Sequence, residues 1–230
     1  MELSRTSAEY WDAKYQATMY THFDWYLGYT QMEPHLLRLF KRFDTALCEI
    51  LIPGSGLSEL PFHLYEAGFH NITNIDISAV AVARMQYRQV ERFGETDDMQ
   101  FAEMDAKHLT GVPPACFDVI LDKGLVDTLF CHHRNVEDVI ELLTEYHRVL
   151  KAGGLLVIVS HGAPDTRLGY LTRPTFDWAV ACTQLSNVFP TATTMPSDLN
   201  WRKNSSMMLR ATTASPPPGS RTYYMYVCTK

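Results

Sequence analysis

The stretch that decides the fold is Ala46–Ser58, ALCEILIPGSGLS. Its first half is a short, almost continuously apolar run, which is typical of a strand buried on both faces of a parallel sheet. Gly54 and Gly56 then permit a sharp turn and a close approach of the backbone to a ligand. Ser58 is a good N-cap for a helix whose unpaired amides would face that turn. The stretch therefore predicts the nucleotide-binding corner of a doubly wound α/β fold.

An acid follows the glycine turn at the distance expected of a ribose-binding carboxylate. Asn71–Ile77 is predicted as the second strand, and Asp76 comes 22 residues after Gly54. An acid about 20 residues after such a turn stands at the tip of the second strand and binds ribose hydroxyls. The alternative is that Asp76 only caps the next helix. Ser78 can supply that cap instead, which leaves Asp76 for the ribose.

Strand and helix patterns alternate as far as residue 160. The predicted helices are 33–43 (opened by Pro34), 58–67, 78–93 and 136–150, and the further strands are 99–105, 117–122 and 155–160. This order predicts a parallel sheet covered by helices on both faces, with ligands beyond the carboxyl ends of the strands. Gly54, Asp76, Asp105 and Asp122 all come at such ends, so we expect one site there.

Past residue 160 the periodic pattern is weaker. Residues 176–185 are predicted as either a helix end or a sixth strand, and 191–221 as an insertion rich in Thr, Ser and Pro. Thr222–Cys228 is predicted as the last strand. Because it follows a long loop, we expect it to close the sheet as an antiparallel edge strand. We expect residues 1–230 to form a single domain.

Composition narrows the classes of function. The chain has 230 residues, 46% of them hydrophobic, and a net charge of −6. No basic run indicates a nucleic-acid groove, and no apolar stretch reaches the roughly 18–20 residues of a membrane span. The N-terminus lacks the apolar core of a signal peptide. Five scattered cysteines without a Cys-x-x-Cys pair predict neither zinc nor disulfides, so we expect no metal and a cytoplasmic setting.

Residues 1–30 carry eight aromatic side chains, whereas a disordered tail is normally poor in them. Most of them fall in Tyr10–Tyr15 and Phe23–Tyr26. Two interpretations are open. This N-terminal aromatic segment either covers one end of the sheet or forms a lid over a ligand.

The glycine turn lacks two marks of phosphate binding. Glu59 stands where a dinucleotide fingerprint has its third glycine, and its carboxylate would disfavour a pyrophosphate. No Walker lysine follows the turn. A ligand with a ribose and an adenine but no phosphate suits these residues better. S-adenosylmethionine is such a ligand, and its sulfonium would favour acidic surroundings.

Together these pieces resemble the class I, seven-strand S-adenosylmethionine-dependent methyltransferases. More narrowly, they are similar to the small lysine methyltransferases of translation elongation factor 1-alpha and their relatives. The matching segments are 10–15, 23–26, 51–58, 74–78, 103–106, 117–127 and 148–154. The resemblance spans about residues 8–185 and the last strand. It implies a doubly wound, mostly parallel, Rossmann-like seven-stranded sheet with an antiparallel C-terminal edge strand.

The resemblance also implies a role for the matching residues, although Pro53 before the glycine pair departs from the family pattern. Gly54, with Gly56 in the same turn, would contact the methionine part of the cofactor, and Asp76 would bind the ribose. The adenine would contact Ile77, Asp105 and Ala106. Lys123 would lie beside the cofactor, and the residues closing over it would be Trp11, Tyr15 and Trp25.

A lysine acceptor must lose its proton before it attacks a methyl group, so a carboxylate near the ammonium would assist. Asp122 is the candidate for this catalytic role, and the alternative is that it only fixes a loop. The resemblance implies a protein substrate, with elongation factor 1-alpha as the candidate, and we expect a monomer. Two rival functions remain open: a small-molecule methyltransferase of the same fold, and a cofactor-binding scaffold without catalysis.

Overall fold

A computed structural model describes residues 4, 6–18, 23–132, 134–186 and 221–230. Its strands are β1 Glu49–Pro53, β2 Asn71–Asp76, β3 Met99–Glu103, β4 Phe117–Lys123, β5 Leu150–Ser160, β6 Ala179–Ser186 and β7 Thr222–Thr229. Its helices are α1 Ala8–Ala17, α2 Tyr29–Phe40, α3 Leu60–Glu66, α4 Ala79–Phe93, α5 Leu125–Phe130, α6 Asn135–Val149 and α7 Pro164–Leu171. The insertion expected at 191–221 lies outside the described residues, apart from Arg221.

The strands form one seven-stranded sheet in the order β3-β2-β1-β4-β5-β7-β6. β1 to β5 run parallel to one another, and β7 runs antiparallel to both β5 and β6. The expected doubly wound sheet and the antiparallel direction of its last strand are therefore confirmed. The expected edge position of that strand is wrong, because β7 pairs with both β5 and β6 and leaves β6 at the edge. The strand order reverses between β1 and β4, and ligands of such sheets bind at that reversal, beyond the carboxyl ends of the strands.

The apolar run that begins the decisive stretch is buried on both faces of the sheet, as its composition predicts. Ile50 and Ile52 face a core shared with α2, α3 and α4, while Leu51 faces a second core shared with α6. All three side chains are at most 2% exposed. A strand with two covered faces has no solvent side, which explains the absence of polar alternation.

Several elements differ from the sequence prediction. Pro34 lies inside α2 instead of opening it, because the helix already begins at Tyr29. β5 begins at Leu150, five residues early, since α6 passes directly into it. Residues 179–186 form a strand, which settles the alternative left open for 176–185. Helices α1, α5 and α7 were not predicted. None of the helices in the described ranges is long and apolar enough to cross a membrane.

The N-terminal helix is attached to the start of α4 by one carboxylate. Ser78 caps α4, as expected, with its Oγ accepting a hydrogen bond from the Ala81 amide at 3.1 Å. The same hydroxyl donates to Asp12 Oδ1 at 2.5 Å, and Asp12 Oδ1 also accepts from the Val80 amide at 3.2 Å. Asp12 therefore extends the cap of α4 and fixes α1 against it.

We predict that Ser78→Ala lowers the free energy of unfolding by about 1–2 kcal/mol, because it removes the cap of α4 and a hydrogen bond to Asp12. Urea unfolding measures the change. Thr144→Ala is the control, since its exposed hydroxyl bonds only to Ile140 O within α6. Equal loss of stability in both variants would contradict the capping role.

Candidate active site

A cavity opens beyond the carboxyl ends of β1, β2 and β4, where the strand order reverses. Its empty volume is about 950 Å³, part of it open to solvent, which suits a ligand the size of a nucleoside with a side arm. All ten residues predicted to bind the cofactor line it. These are Trp11, Tyr15, Trp25, Gly54, Gly56, Asp76, Ile77, Asp105, Ala106 and Lys123.

Both glycines of the turn are required by backbone geometry and by their neighbours. Gly54 and Gly56 have φ of +60° and +52°, which side-chain-bearing residues rarely adopt. A Cβ on Gly54 would lie 3.0 Å from Leu125 Cβ, and one on Gly56 would lie 2.6 Å from Tyr15 Oη. The turn thus presents bare backbone to the cavity, with α5 on one side and the N-terminal segment on the other.

Asp76 joins the turn to the end of β2. Its Oδ2 accepts a hydrogen bond from the Gly56 amide at 2.8 Å, and its Oδ1 accepts from the Ser78 amide at 2.9 Å. Burial raises the pKa of Asp76, although the amides of Ser78 and Gly56 oppose that shift. Since the carboxylate also lines the cavity, Asp76 can hold the turn and still accept bonds from ribose hydroxyls.

The N-terminal aromatic segment contributes to the core and also to the wall of the cavity, which leaves the lid as a prediction. Tyr15 is 7% exposed and belongs to the core, and it lines the cavity together with Trp11, Phe23 and Trp25. The Nζ of Lys14 lies 4.7 Å from the ring centroid of Trp11 and 4.5 Å from that of Trp25. This cation joins the two halves of the segment at the cavity. Tyr20 lies outside the described residues.

Lys123 holds the second half of that segment against the sheet. Its Nζ forms an ion pair with Asp24 at 2.8 Å and donates to the Trp25 carbonyl at 3.1 Å. Ser58 Oγ donates to the same Asp24 carboxylate. Lys123 therefore closes one wall of the cavity. Two carboxylates that attach the segment, those of Asp12 and Asp24, were not predicted from the sequence.

Asp122 does not fit the catalytic role proposed for it. Its side chain is fully buried and does not line the cavity. Its oxygens accept hydrogen bonds from the amides of Leu125 and Val126 and from the hydroxyl of Tyr146 at 2.9 Å. Burial raises the pKa of Asp122 to about 7. The carboxylate caps α5, so the alternative that it fixes a loop agrees with the geometry.

Glu59 does not have the position that was expected for it beside the cavity. Its carboxylate forms an ion pair with Arg88 on α4 and does not line the cavity. Glu59 is therefore not placed to repel a pyrophosphate in the cavity, contrary to the prediction from the sequence. What remains against a dinucleotide is the absence of a third glycine and of a Walker lysine after the turn.

Known proteins that resemble this chain support a methyltransferase site in the cavity. A family described as a methyltransferase domain matches residues 51–158. The eEF1A lysine and N-terminal methyltransferase of Mus musculus is 35% identical over 156 residues, 67% of this chain. This chain spans only 21% of that relative. The EEF1A lysine methyltransferase 4 of Mus musculus is 28% identical over 193 residues, which cover 79% of this chain and 71% of the relative.

A solved structure shares the fold over the whole chain. The magnesium protoporphyrin IX methyltransferase of Synechocystis PCC 6803, with bound S-adenosylmethionine, has a TM-score of 0.64 and 11% sequence identity. The alignment covers 100% of this chain and 99% of that one. The expected resemblance to class I methyltransferases, and the expected cofactor, are confirmed.

We predict that Asp76→Asn weakens binding of S-adenosylhomocysteine roughly 10- to 100-fold, the value of one hydrogen bond to a charged group. Because an Asn NH2 would then face the amide of Gly56 or Ser78, stability without ligand should fall as well. Isothermal titration and thermal unfolding measure the two effects, with the exposed Asp97→Asn as control. Unchanged affinity in Asp76→Asn would exclude the ribose role.

We predict that S-adenosylhomocysteine slows hydrogen exchange of the α1 amides, because the ligand supplies a face on which Trp11 packs. Trp11→Ala should weaken binding of S-adenosylmethionine by about 0.5–2 kcal/mol, the range of a cation–π contact with its sulfonium. Tyr87→Ala, on the exposed side of α4, should bind normally. Equal exchange with and without ligand, together with normal binding by Trp11→Ala, would identify the segment as core cover alone.

Proposed function

We propose that this chain, which contains a class I, S-adenosylmethionine-dependent methyltransferase domain, methylates a lysine side chain of a protein, with translation elongation factor 1-alpha as the first candidate. The cavity at the strand reversal supports the methyl-transfer part. The lysine and elongation-factor part is supported by the names of the relatives, which share 28–35% identity with this chain.

The residues present fit the cofactor. Glycine backbone borders the place where its amino-acid part would lie, Asp76 offers carboxylate oxygens to a ribose, and the faces of Trp11 and Trp25 suit a cation. When bound, S-adenosylmethionine supplies an electrophilic methyl group on a sulfonium. The protein then has to hold donor and acceptor in line and exclude water from both.

The N-terminal segment provides much of that exclusion. Asp12 and Asp24 fix it over the turn from two sides, so that aromatic rings rather than solvent border the cavity. The charge of Lys123 is satisfied by Asp24 and the Trp25 carbonyl, which assigns it to closing the site rather than to proton transfer.

The test is a methyl-transfer assay with labelled S-adenosylmethionine. The purified protein is incubated with elongation factor 1-alpha produced in bacteria, and separately with a cytosolic extract. We expect label in elongation factor 1-alpha, located on a lysine by mass spectrometry, and a reduced rate with Asp76→Asn. Label in a small molecule would support the first rival function instead. No label in any fraction, from a protein that binds the cofactor, would support the scaffold.

A further inference from the structure

A second group of polar side chains lies on the opposite face of α5 from the cofactor cavity. Leu125 and Thr128 line the cofactor cavity, whereas Asp127 and Phe130 line a separate open cavity of about 910 Å³ empty volume. His161, the first residue after β5, borders this second cavity. Because Lys123 pairs with Val159 across the sheet, His161 lies at the same edge as the cofactor cavity.

Asp127 is the centre of this group. It is 2% exposed and accepts hydrogen bonds from Ser160 Oγ at 2.5 Å, from the His161 amide at 2.9 Å and from Arg167 Nη2 at 2.9 Å. Burial alone raises the pKa of Asp127, but these donors outweigh burial and the net shift is downward. Asp127 is therefore an ionised carboxylate held in one orientation.

The imidazole of His161 is oriented by that carboxylate. Its Nδ1 lies 2.7 Å from Asp127 Oδ2 and 2.9 Å from the hydroxyl of Tyr26. A carboxylate oxygen only accepts, so Nδ1 must carry the proton, and the neutral ring then has its lone pair on Nε2. The side chain is 53% exposed, and Nε2 has no hydrogen-bond partner among the described residues. In this tautomer the Nε2 lone pair is an acceptor at the side of the ring away from Asp127.

Tyr26 connects the ring to the wall of the cofactor cavity. Its hydroxyl donates to Asp127 Oδ2 at 2.8 Å, and its ring lies 3.2 Å from where a Cβ on Gly124 would be. Tyr26 has φ of +70°, a strained value for a residue with a side chain, which the surrounding contacts must maintain. Tyr26 therefore lies between the ring of His161, which borders the open second cavity, and the Gly124 wall of the cofactor cavity.

We propose that His161 Nε2 takes the proton of the substrate ammonium, with Asp127 and Tyr26 as positioning residues. This inference rests on the proposed function. In the first step an N–H bond of the lysine ammonium breaks, and the proton moves to Nε2. The neutral amine then forms an N–C bond to the methyl group as the S–C bond of the sulfonium breaks, with that electron pair remaining on sulfur. The imidazolium afterwards returns its proton to water.

The test compares His161→Gln and His161→Ala with wild type in the labelled assay with elongation factor 1-alpha. We expect kcat to fall roughly 10²-fold or more, as for other general bases, with affinity for S-adenosylhomocysteine unchanged. Added imidazole should restore part of kcat in His161→Ala, which a structural defect would not allow. Tyr26→Phe should lower kcat less. His70→Gln is the control, because His70 is 42% exposed beside Asp98 at the amino end of β2.

A second readout is the tautomer of His161, measured by nitrogen NMR of the imidazole in the complex with S-adenosylhomocysteine. A ring protonated on Nε2 alone would overturn the proposal, as would normal kcat in His161→Gln or loss of kcat without imidazole rescue. Wild-type protein that labels no lysine overturns the proposed function itself. If wild-type protein and the His161→Gln variant label lysine at the same rate, this inference alone is overturned.

Discussion

The cofactor edge of this fold depends on a carboxylate that has almost no access to water. Asp76 is 6% exposed, and desolvation of such a charge costs several kcal/mol unless hydrogen bonds replace the lost water. The backbone amides of Gly56 and Ser78 supply the hydrogen bonds that replace this water. To bring the Gly56 amide there, the chain after β1 must curl through left-handed conformations. The end of β2, the glycine turn and the start of α4 therefore converge on one side chain.

The same constraint recurs along the carboxyl ends of the strands. Asp122 takes two amides of α5 and the hydroxyl of Tyr146, and Asp127 takes donors from the end of β5 and from α7. These acids differ in how many of their carboxylate oxygen lone pairs remain available to a ligand. Asp122 is enclosed on all sides, whereas Asp76 keeps one side toward the cavity. Asp127 acts through the exposed ring that it orients.

Local patterns predicted β1, the glycine turn and Ser78 well, because each depends on neighbours within a few residues. The edge of the sheet that holds the cofactor cavity could be predicted from topology alone, since parallel strands bring their carboxyl ends together. Strand-end position, however, cannot distinguish a capping acid such as Asp122 from one that faces a ligand. The attachments of Asp12 and Asp24 to Ser78 and Ser58 join positions 66 and 34 residues apart, and no local pattern indicates them.

The position of β7 has a consequence for how the chain is made. β7 lies between β5 and β6, yet it is the last of the three to be synthesised. Until residues 222–229 have left the ribosome, β6 has no strand beside it and one side of β5 is open. Unpaired edges of this kind invite association with other chains. The nascent protein therefore passes through a stage with unpaired strand edges, and a stop codon before Thr222 would remove two strands from the sheet instead of one.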